Sequence, residues 1–295
     1  MIDLQGTGVA MITPFLANGE IDFSGLEHSI EHLIKGKVEY LVALGTTGET
    51  ATLNQDEKTS LLKFIAEKVN DSVPLVAGLG GNNTAEIVKQ VSNFNLEGYV
   101  AILSVSPYYN KPTQEGIYQH YKAVAEASHL PVILYNVPGR TGTNITAETT
   151  LRLANDCNNI IGIKEASGNF EQINAIAANK PKEFQLISGD DPITLPMIAL
   201  GAVGIISVIA NAIPLQFSQM VRTCLAGNFA EAQTAHFQFL EFTRLCFAEG
   251  NPAGVKAAMQ HLNICEDHLR LPLVKVSEQT REKIKVELGR IGINA

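Results

Sequence analysis

Two hydrophobic periods alternate along the chain. Short apolar runs bounded by Gly, Pro, Asn or Ser read as buried strands. Between them, apolar residues recur every three or four positions and read as amphipathic helices. The expected strands are Gly8–Thr13, Tyr40–Leu44, Pro74–Ala77, Tyr99–Leu103, Val132–Tyr135, Ile160–Lys164, Gln185–Ile187 and Val203–Ser207. The expected helices are Ser24–Lys35, Asp56–Val69, Thr84–Phe94, Gln114–Ala127, Ala147–Ala154, Phe170–Ala177, Ile193–Leu200 and Leu215–Leu225. In the first helix Leu26, Ile30, Leu33 and Ile34 share one face. Asn54 followed by Glu57 has the form of a capping box for the second. Eight strands alternating with eight helices predict an α/β protein, a (β/α)8 TIM barrel. A doubly wound open sheet is the alternative, but no GxGxxG follows the first strand. After Gly227 only helical patterns remain: Ala230–Phe247, Pro252–His261 and Ser277–Leu288. The organisation expected is a catalytic barrel over residues 1–226 and a small C-terminal helical region, 227–295, packed on it.

Composition narrows the class. The 295 residues are 45% hydrophobic and 18% charged, which suits one large globular unit with ample core. The net charge of −8 and the lack of a basic block argue against nucleic acid and anionic membranes as partners. Cys157, Cys224, Cys246 and Cys265 show no CxxC spacing and read as reduced, structural and intracellular. The opening Met1-Ile-Asp-Leu-Gln-Gly lacks the form of a signal peptide, so a cytoplasmic protein is expected. Pro192–Val221 carries no charge, yet Pro196, Gly201, Gly204, Asn211 and Pro214 punctuate it. It reads as helix, strand and helix in a soluble core, not a membrane span.

In a barrel, chemistry collects at the C-terminal ends of the strands. The sixth run ends in Gly162-Ile163-Lys164-Glu165. Strand alternation puts Lys164 and Glu165 on opposite faces. Such a lysine either snorkels to solvent or is desolvated into a neutral amine able to attack a ketone. Tyr135 ends the preceding strand, about 4.8 Å away if sequential strands are neighbours. After the second strand, Gly45-Thr46-Thr47-Gly48 combines backbone N–H groups and hydroxyls in a cradle for a small anion, or is simply a turn. Tyr108 and Tyr109 lie between Pro107 and Pro112, where tyrosines either pack or act. Arg140 offers a planar fork to a carboxylate, or a surface salt bridge. Asp191 reads as a cap for the following helix. His28-Ser-Ile-Glu31-His32 matches a zinc motif by letters, but the apolar stripe turns both histidines away from the core.

A lysine, a tyrosine, hydroxyls and an arginine, without a Ser/His/Asp triad or a metal cluster, fit amine catalysis on a keto acid. The lysine forms an imine, the hydroxyls hold the carboxylate, and the tyrosine moves protons. The protonated imine then allows loss of an adjacent C–H, and the enamine attacks an aldehyde. Two other classes fit less closely: a barrel that binds a small acid without turning it over, and a metal-dependent aldolase using Asp190 and Asp191.

The sequence resembles the dihydrodipicolinate synthase family, within the wider N-acetylneuraminate lyase superfamily. The resemblance covers Gly8–Phe15, Gly45–Glu49, Ser106–Pro112, Tyr135–Gly142, Gly162–Ser167 and Ser188–Asp191. It continues through Asn251-Pro252 and Leu269–Leu273. It implies a lyase in which Lys164 forms a Schiff base with pyruvate, without cofactor or metal. It assigns the proton relay to Tyr135, Thr47 and Tyr109, with Tyr109 reaching in from a neighbouring subunit of a homotetramer, a dimer of dimers. Thr46 and Thr47 would hold the pyruvate carboxylate, and Gly189 and Ile206 would line the site through their backbones. Arg140 would receive the carboxylate of L-aspartate-4-semialdehyde, in the diaminopimelate route to lysine. An arginine here suits a small acidic aldehyde better than the sugar partners of the related sialic acid or keto-deoxy sugar acid lyases. The resemblance also implies an interface site for lysine at Thr50, Ala51, Gln55, Lys58, Asn82, Glu86 and Tyr108. Lys58 puts a cation where a cationic effector would sit, so weak or absent feedback is expected.

Overall fold

A computed structural model describes residues 2–294. Eight parallel strands close into a barrel in strict sequence order. They are β1 (Gly6–Ala10), β2 (Tyr40–Ala43), β3 (Leu75–Gly78), β4 (Tyr99–Val105), β5 (Val132–Asn136), β6 (Ile160–Glu165), β7 (Gln185–Ser188) and β8 (Gly204–Ser207). The outer helices are α1 (Phe23–Lys35), α2 (Gln55–Val69), α3 (Thr84–Asn93), α4 (Gln114–Ala127), α5 (Pro138–Thr141), α6 (Ala147–Asp156), α7 (Phe170–Asn179), α8 (Thr194–Ala199) and α9 (Pro214–Leu225). This is the TIM barrel that the alternation of periods implies. α5 is an extra single turn in the loop after β5.

Alternation along each strand sorts the core into two layers. Ala10, Tyr40, Val42, Val76, Leu103, Ile133, Ile187 and Ile206 fill the barrel interior. Val9, Leu41, Ala43, Ile102, Leu134, Ile163, Leu186 and Ile205 face the helices. Closure joins β1 to β8, with Gly6 opposite Gly204. A Cβ on Gly204 would lie 1.9 Å from the Gly6 carbonyl oxygen, so only glycine allows this approach.

Three expectations need correction. β1 ends at Ala10, not Thr13. The amide of Ile12 instead donates to Asn211 Oδ1 at 3.1 Å, so a side chain replaces the ladder there. Asp191 does not cap α8; its carboxylate accepts from Ser207 Oγ at 2.5 Å and Val208 N at 3.1 Å, tying the loop after β7 to the end of β8. His28 is exposed as expected, but His32 is half-buried, its Nε2 3.2 Å from the Ala212 carbonyl oxygen, because the start of α9 packs on that side of α1. The capping box of α2 is present, with Asn54 and Glu57 exchanging side-chain bonds to backbone amides. Pro192–Val221 resolves into α8, β8 and most of α9. Among the described residues no helix is long and apolar enough to cross a membrane.

The C-terminal helices α10 (Phe229–Phe247), α11 (Ala253–His261) and α12 (Glu278–Arg290) pack on one another, and α10 lies along α8 and α9. A fully buried ion pair fastens this region to the barrel. Lys256 Nζ donates to Glu49 Oε1 at 2.5 Å and to the His268 carbonyl oxygen at 2.8 Å. The other oxygen of Glu49 accepts from the backbone N–H of Arg270. Arg270 in turn forks onto Glu57 at the start of α2, and the Phe15 ring contacts both cations, each 4.5 Å from its centroid. Removing one partner of such a pair strands a buried charge.

Lys256→Met is therefore expected to lower stability by about 3–5 kcal/mol, read from the midpoint of urea unfolding, and adding Glu49→Gln should recover part of the loss. A single variant as stable as the parent would contradict this. A second expectation concerns pH. His120 on α4 is buried, its Nδ1 2.9 Å from Thr84 Oγ1 on α3, and burial holds it down at about 4 against an ordinary 6.5. Between those values the unfolded chain binds the proton and the folded chain does not. Stability present above the unfolded value is thus lost as pH falls toward 4, by on the order of 3 kcal/mol. His120→Gln should flatten the stability profile across that interval; an unchanged slope would assign the loss to other groups.

Candidate active site

β5 and β6 pair so that Tyr135 lies opposite Lys164 and Asn136 opposite Glu165. Lys164 and Tyr135 point into the barrel, and Lys164 Nζ sits 4.4 Å from the centroid of the Tyr135 ring. The lysine is 4% exposed, so it does not snorkel to solvent. Among the described residues no side chain hydrogen-bonds its amine. Glu165 lies on the other face of β6, as alternation requires. Two other carboxylates do share the surroundings. Burial raises Asp190 above its ordinary value and Asp191 to about 6, and the charge on Lys164 opposes both shifts.

Gly189 follows β7 directly beside this lysine. A Cβ there would come within 3.0 Å of Lys164 Cγ and 3.1 Å of Cε, and within 2.7 Å of Ala166 Cβ. The absence of a side chain is what makes room for the lysine stem. Ile206 of β8 is buried in the interior layer, level with Gly8.

The loop after β2 supplies the hydroxyls. Leu44 and Glu49 take left-handed backbone conformations on either side of a 3-10 turn spanning Thr46–Gly48. This geometry separates the two threonines. Thr46 faces a cavity of about 510 Å³, whereas Thr47 is buried and accepts from Asn251 Nδ2 at 2.9 Å. Thr13 Oγ1 bonds the Gly48 carbonyl, and Thr50 Oγ1 bonds that of Leu44. The Lys256–Glu49 pair anchors the end of the same loop.

Tyr135 and Arg140 line this cavity together with Thr46. Arg140 rides on α5, is exposed, and among the described residues enters no ion pair. Thr50, Ala51, Lys58 and Tyr108 line the same cavity. Of the expected effector residues, Gln55, Asn82 and Glu86 are not in its wall, although Asn82 Nδ2 reaches the Tyr108 carbonyl oxygen at 3.1 Å. Burial, unopposed by any carboxylate, pulls the Lys58 ammonium below its ordinary value. Tyr109 stands apart: it is 88% exposed and left-handed (φ 72°), projecting away from the protomer.

Several residues that build the site escape a sequence reading. Asn251, Lys256 and Arg270, acting on Thr47 and Glu49, hold the threonine loop from the C-terminal region. Asn251-Pro252 and Leu269–Leu273 mark where to look, but the partners are 204 and 207 residues apart in the chain. Among the described residues no group of three or more His, Cys, Asp or Glu side chains could hold a metal ion. Chemically, the arrangement offers a sheltered amine, a phenol at its side, hydroxyls and backbone N–H groups for an anion, and an unpaired guanidinium at the mouth.

The whole chain finds relatives with this design. A model of the dihydrodipicolinate synthetase family matches residues 3–291. The 4-hydroxy-tetrahydrodipicolinate synthase of Parabacteroides distasonis is 51% identical over 99% of this chain and 98% of its own. The crystal structure of dihydrodipicolinate synthase from Aquifex aeolicus superposes with a TM-score of 0.95 at 38% identity, covering 98% of this chain and 99% of that one. The synthase from Cyanidioschyzon merolae, solved with lysine bound, gives a TM-score of 0.94 at 36% identity, covering 98% of both chains. A barrel whose fifth and sixth strands bring a tyrosine against a buried lysine, matched end to end at such identities, belongs to the dihydrodipicolinate synthetase family.

Proposed function

We propose that this protein is a lyase that catalyses the 4-hydroxy-tetrahydrodipicolinate synthase reaction, condensing pyruvate with L-aspartate-4-semialdehyde in the diaminopimelate route to lysine. The observation that carries the reading is the buried Lys164 amine against Tyr135, which together with the unpaired Arg140 lines one cavity.

Lys164 Nζ attacks the pyruvate ketone, and the carbinolamine loses water to give an imine. Thr46 and Thr47, with the backbone of their loop, hold the pyruvate carboxylate, while Gly189 and Ile206 shape the pocket with main chain. Tyr135 moves protons at the imine, relayed through Thr47 and Tyr109. The protonated imine is the electron sink for loss of a methyl proton, so the chemistry calls for no metal and no cofactor. The enamine then attacks the aldehyde carbon while Arg140 grips the carboxylate of that partner. The amino group of the second substrate can finally displace Lys164 from the imine carbon, closing the ring and freeing the enzyme.

The exposed, left-handed Tyr109 is consistent with a side chain that serves another protomer's site. The assembly that this suits is a homotetramer, a dimer of dimers, in the cytoplasm. Residues 1–226 are taken as the catalytic barrel and 227–295 as the helical region that braces it. The cavity residues Thr50, Ala51, Lys58 and Tyr108, together with Gln55, Asn82 and Glu86 outside its wall, form the counterpart of a lysine effector site in which Lys58 opposes a cation.

Borohydride added with pyruvate is expected to trap a stable adduct on Lys164 and abolish activity, and EDTA should change nothing; no adduct, or loss with EDTA, would refute the imine reaction. Arg140→Ala should lower kcat/KM for the semialdehyde by roughly 10- to 100-fold while sparing adduct formation, the loss expected for a charged hydrogen-bond pair. Equal losses would make Arg140 structural. Lysine should fail to reach half-inhibition below about 1 mM, because a like charge at Lys58 disfavours it; inhibition far below that would overturn the effector reading.

A further inference from the structure

We infer that Glu165, Asn136, Asn144 and Gln172 form a positioning device behind the barrel wall that sets the span between the Lys164 amine and the Arg140 guanidinium. The inference rests on the reaction proposed above.

Glu165 is fully buried on the outer face of β6, one residue from Lys164. Among the described residues it has no cationic partner. Its carboxylate accepts only from neutral N–H donors: Asn136 Nδ2 (2.9 Å to Oε2, 3.2 Å to Oε1), Gln172 Nε2 (2.9 Å) and the backbone of Ser167 (2.6 Å). A buried carboxylate without a counter-ion is tolerated only when donors converge on it. Here they come from three elements: β5, the loop after β6, and α7.

The same side chains staple the segment that carries Arg140. Asn136 ends β5 just before that segment; Asn144 and Ile145 end it. Asn136 Nδ2 donates to Asn144 Oδ1 at 2.9 Å, and the amide of Ile145 donates to Asn136 Oδ1 at 2.9 Å. Asn144 Nδ2 reaches Gln172 Oε1 at 2.8 Å. Both ends of the loop are thus tied to each other and to the residue next to Lys164. Because successive residues of a strand share one backbone and point to opposite faces, fixing Asn136 and Glu165 outside helps fix Tyr135 and Lys164 inside. The ladder needs this at its far end, since its register shifts between Val132 and Ile133 at the near end. A semialdehyde held at its carboxylate by Arg140 must present its carbonyl to the enamine on Lys164. Misplacement of one anchor by an ångström is enough to slow such a step by orders of magnitude.

The test separates Arg140 placement from general stability. In Asn144→Ala, borohydride trapping of the pyruvate adduct should proceed at near the parental rate, while KM for the semialdehyde rises about tenfold. In an Arg140→Ala background the same substitution should add almost nothing to KM, because the interaction it serves is already gone. Equal losses in adduct formation and in the semialdehyde step, or an additive effect on top of Arg140→Ala, would overturn the inference. Should Asn144→Ala not fold, Asn144→Ser removes the same bonds with less loss of polarity, leaves the donors to Glu165 in place, and is read in the same way. A parent protein that forms no pyruvate adduct would overturn the reaction itself, whereas an adduct with an unmoved semialdehyde KM would sink only the positioning role.

Discussion

The register of β5 on β6 is the constraint on which the site depends. One ladder carries two pairs, and its two faces do different work. Inside, Tyr135 meets Lys164; outside, Asn136 meets Glu165. Lys164 and Glu165 are adjacent in the chain and of opposite charge, yet alternation keeps them on opposite faces, so the amine is not consumed by its nearest carboxylate. If the strands slipped by one residue, lysine and glutamate would exchange surroundings. The barrel interior would then hold a carboxylate where the Lys164 amine now lies beside Tyr135. Gly189 completes the arrangement by leaving the lysine stem the space that any Cβ would fill.

The other half of the mouth is not held by the barrel alone. The threonine loop bends through two left-handed non-glycine residues, a conformation that persists only when its surroundings over-determine it. Lys256, Asn251 and Arg270 provide that surrounding from the C-terminal region. A buried ion pair is weak evidence of net stabilisation, since desolvation offsets much of the attraction. What this one supplies is placement. Glu49 ends the threonine loop, and its carboxylate is held by one long-range side chain and one long-range amide. The C-terminal helices are on this reading part of the active-site architecture, even though they carry none of the reacting groups.

Much of this was legible in the sequence, and the illegible part has a common cause. The barrel follows from local periodicity, and Lys164 announces itself as a charge ending an apolar run. Tyr135 follows from strand adjacency, which sequential parallel connections make nearly obligatory. The end of β1 was misplaced because Met11 and Ile12 continue the apolar pattern, while the switch from ladder to Asn211 side chain leaves no mark on period. Asp191 resembles a helix cap locally; its real donors, Ser207 and Val208, lie on the next strand. The clamp on Glu49 and the staple around Glu165 are polar networks across elements. Their members are single residues without periodicity, and only the closed fold shows that they converge.

The cavity also joins two questions that a residue-by-residue reading keeps apart. Lys58 and Arg140 line one continuous space, so each charge is felt by whatever occupies it. Such a coupling weakens with distance and with salt. For an acidic aldehyde passing toward Arg140 the sign is favourable; for a cationic effector beside Lys58 it is not. In a chain with a net charge of −8, an electropositive mouth is a local achievement, made possible because Glu49, an acidic residue in the same wall, is already neutralised by Lys256. The ion pair that places the threonine cradle thereby also sets the sign of the field at the entrance. On the proposed function, preference for an acidic partner and a weak response to lysine would share one electrostatic origin.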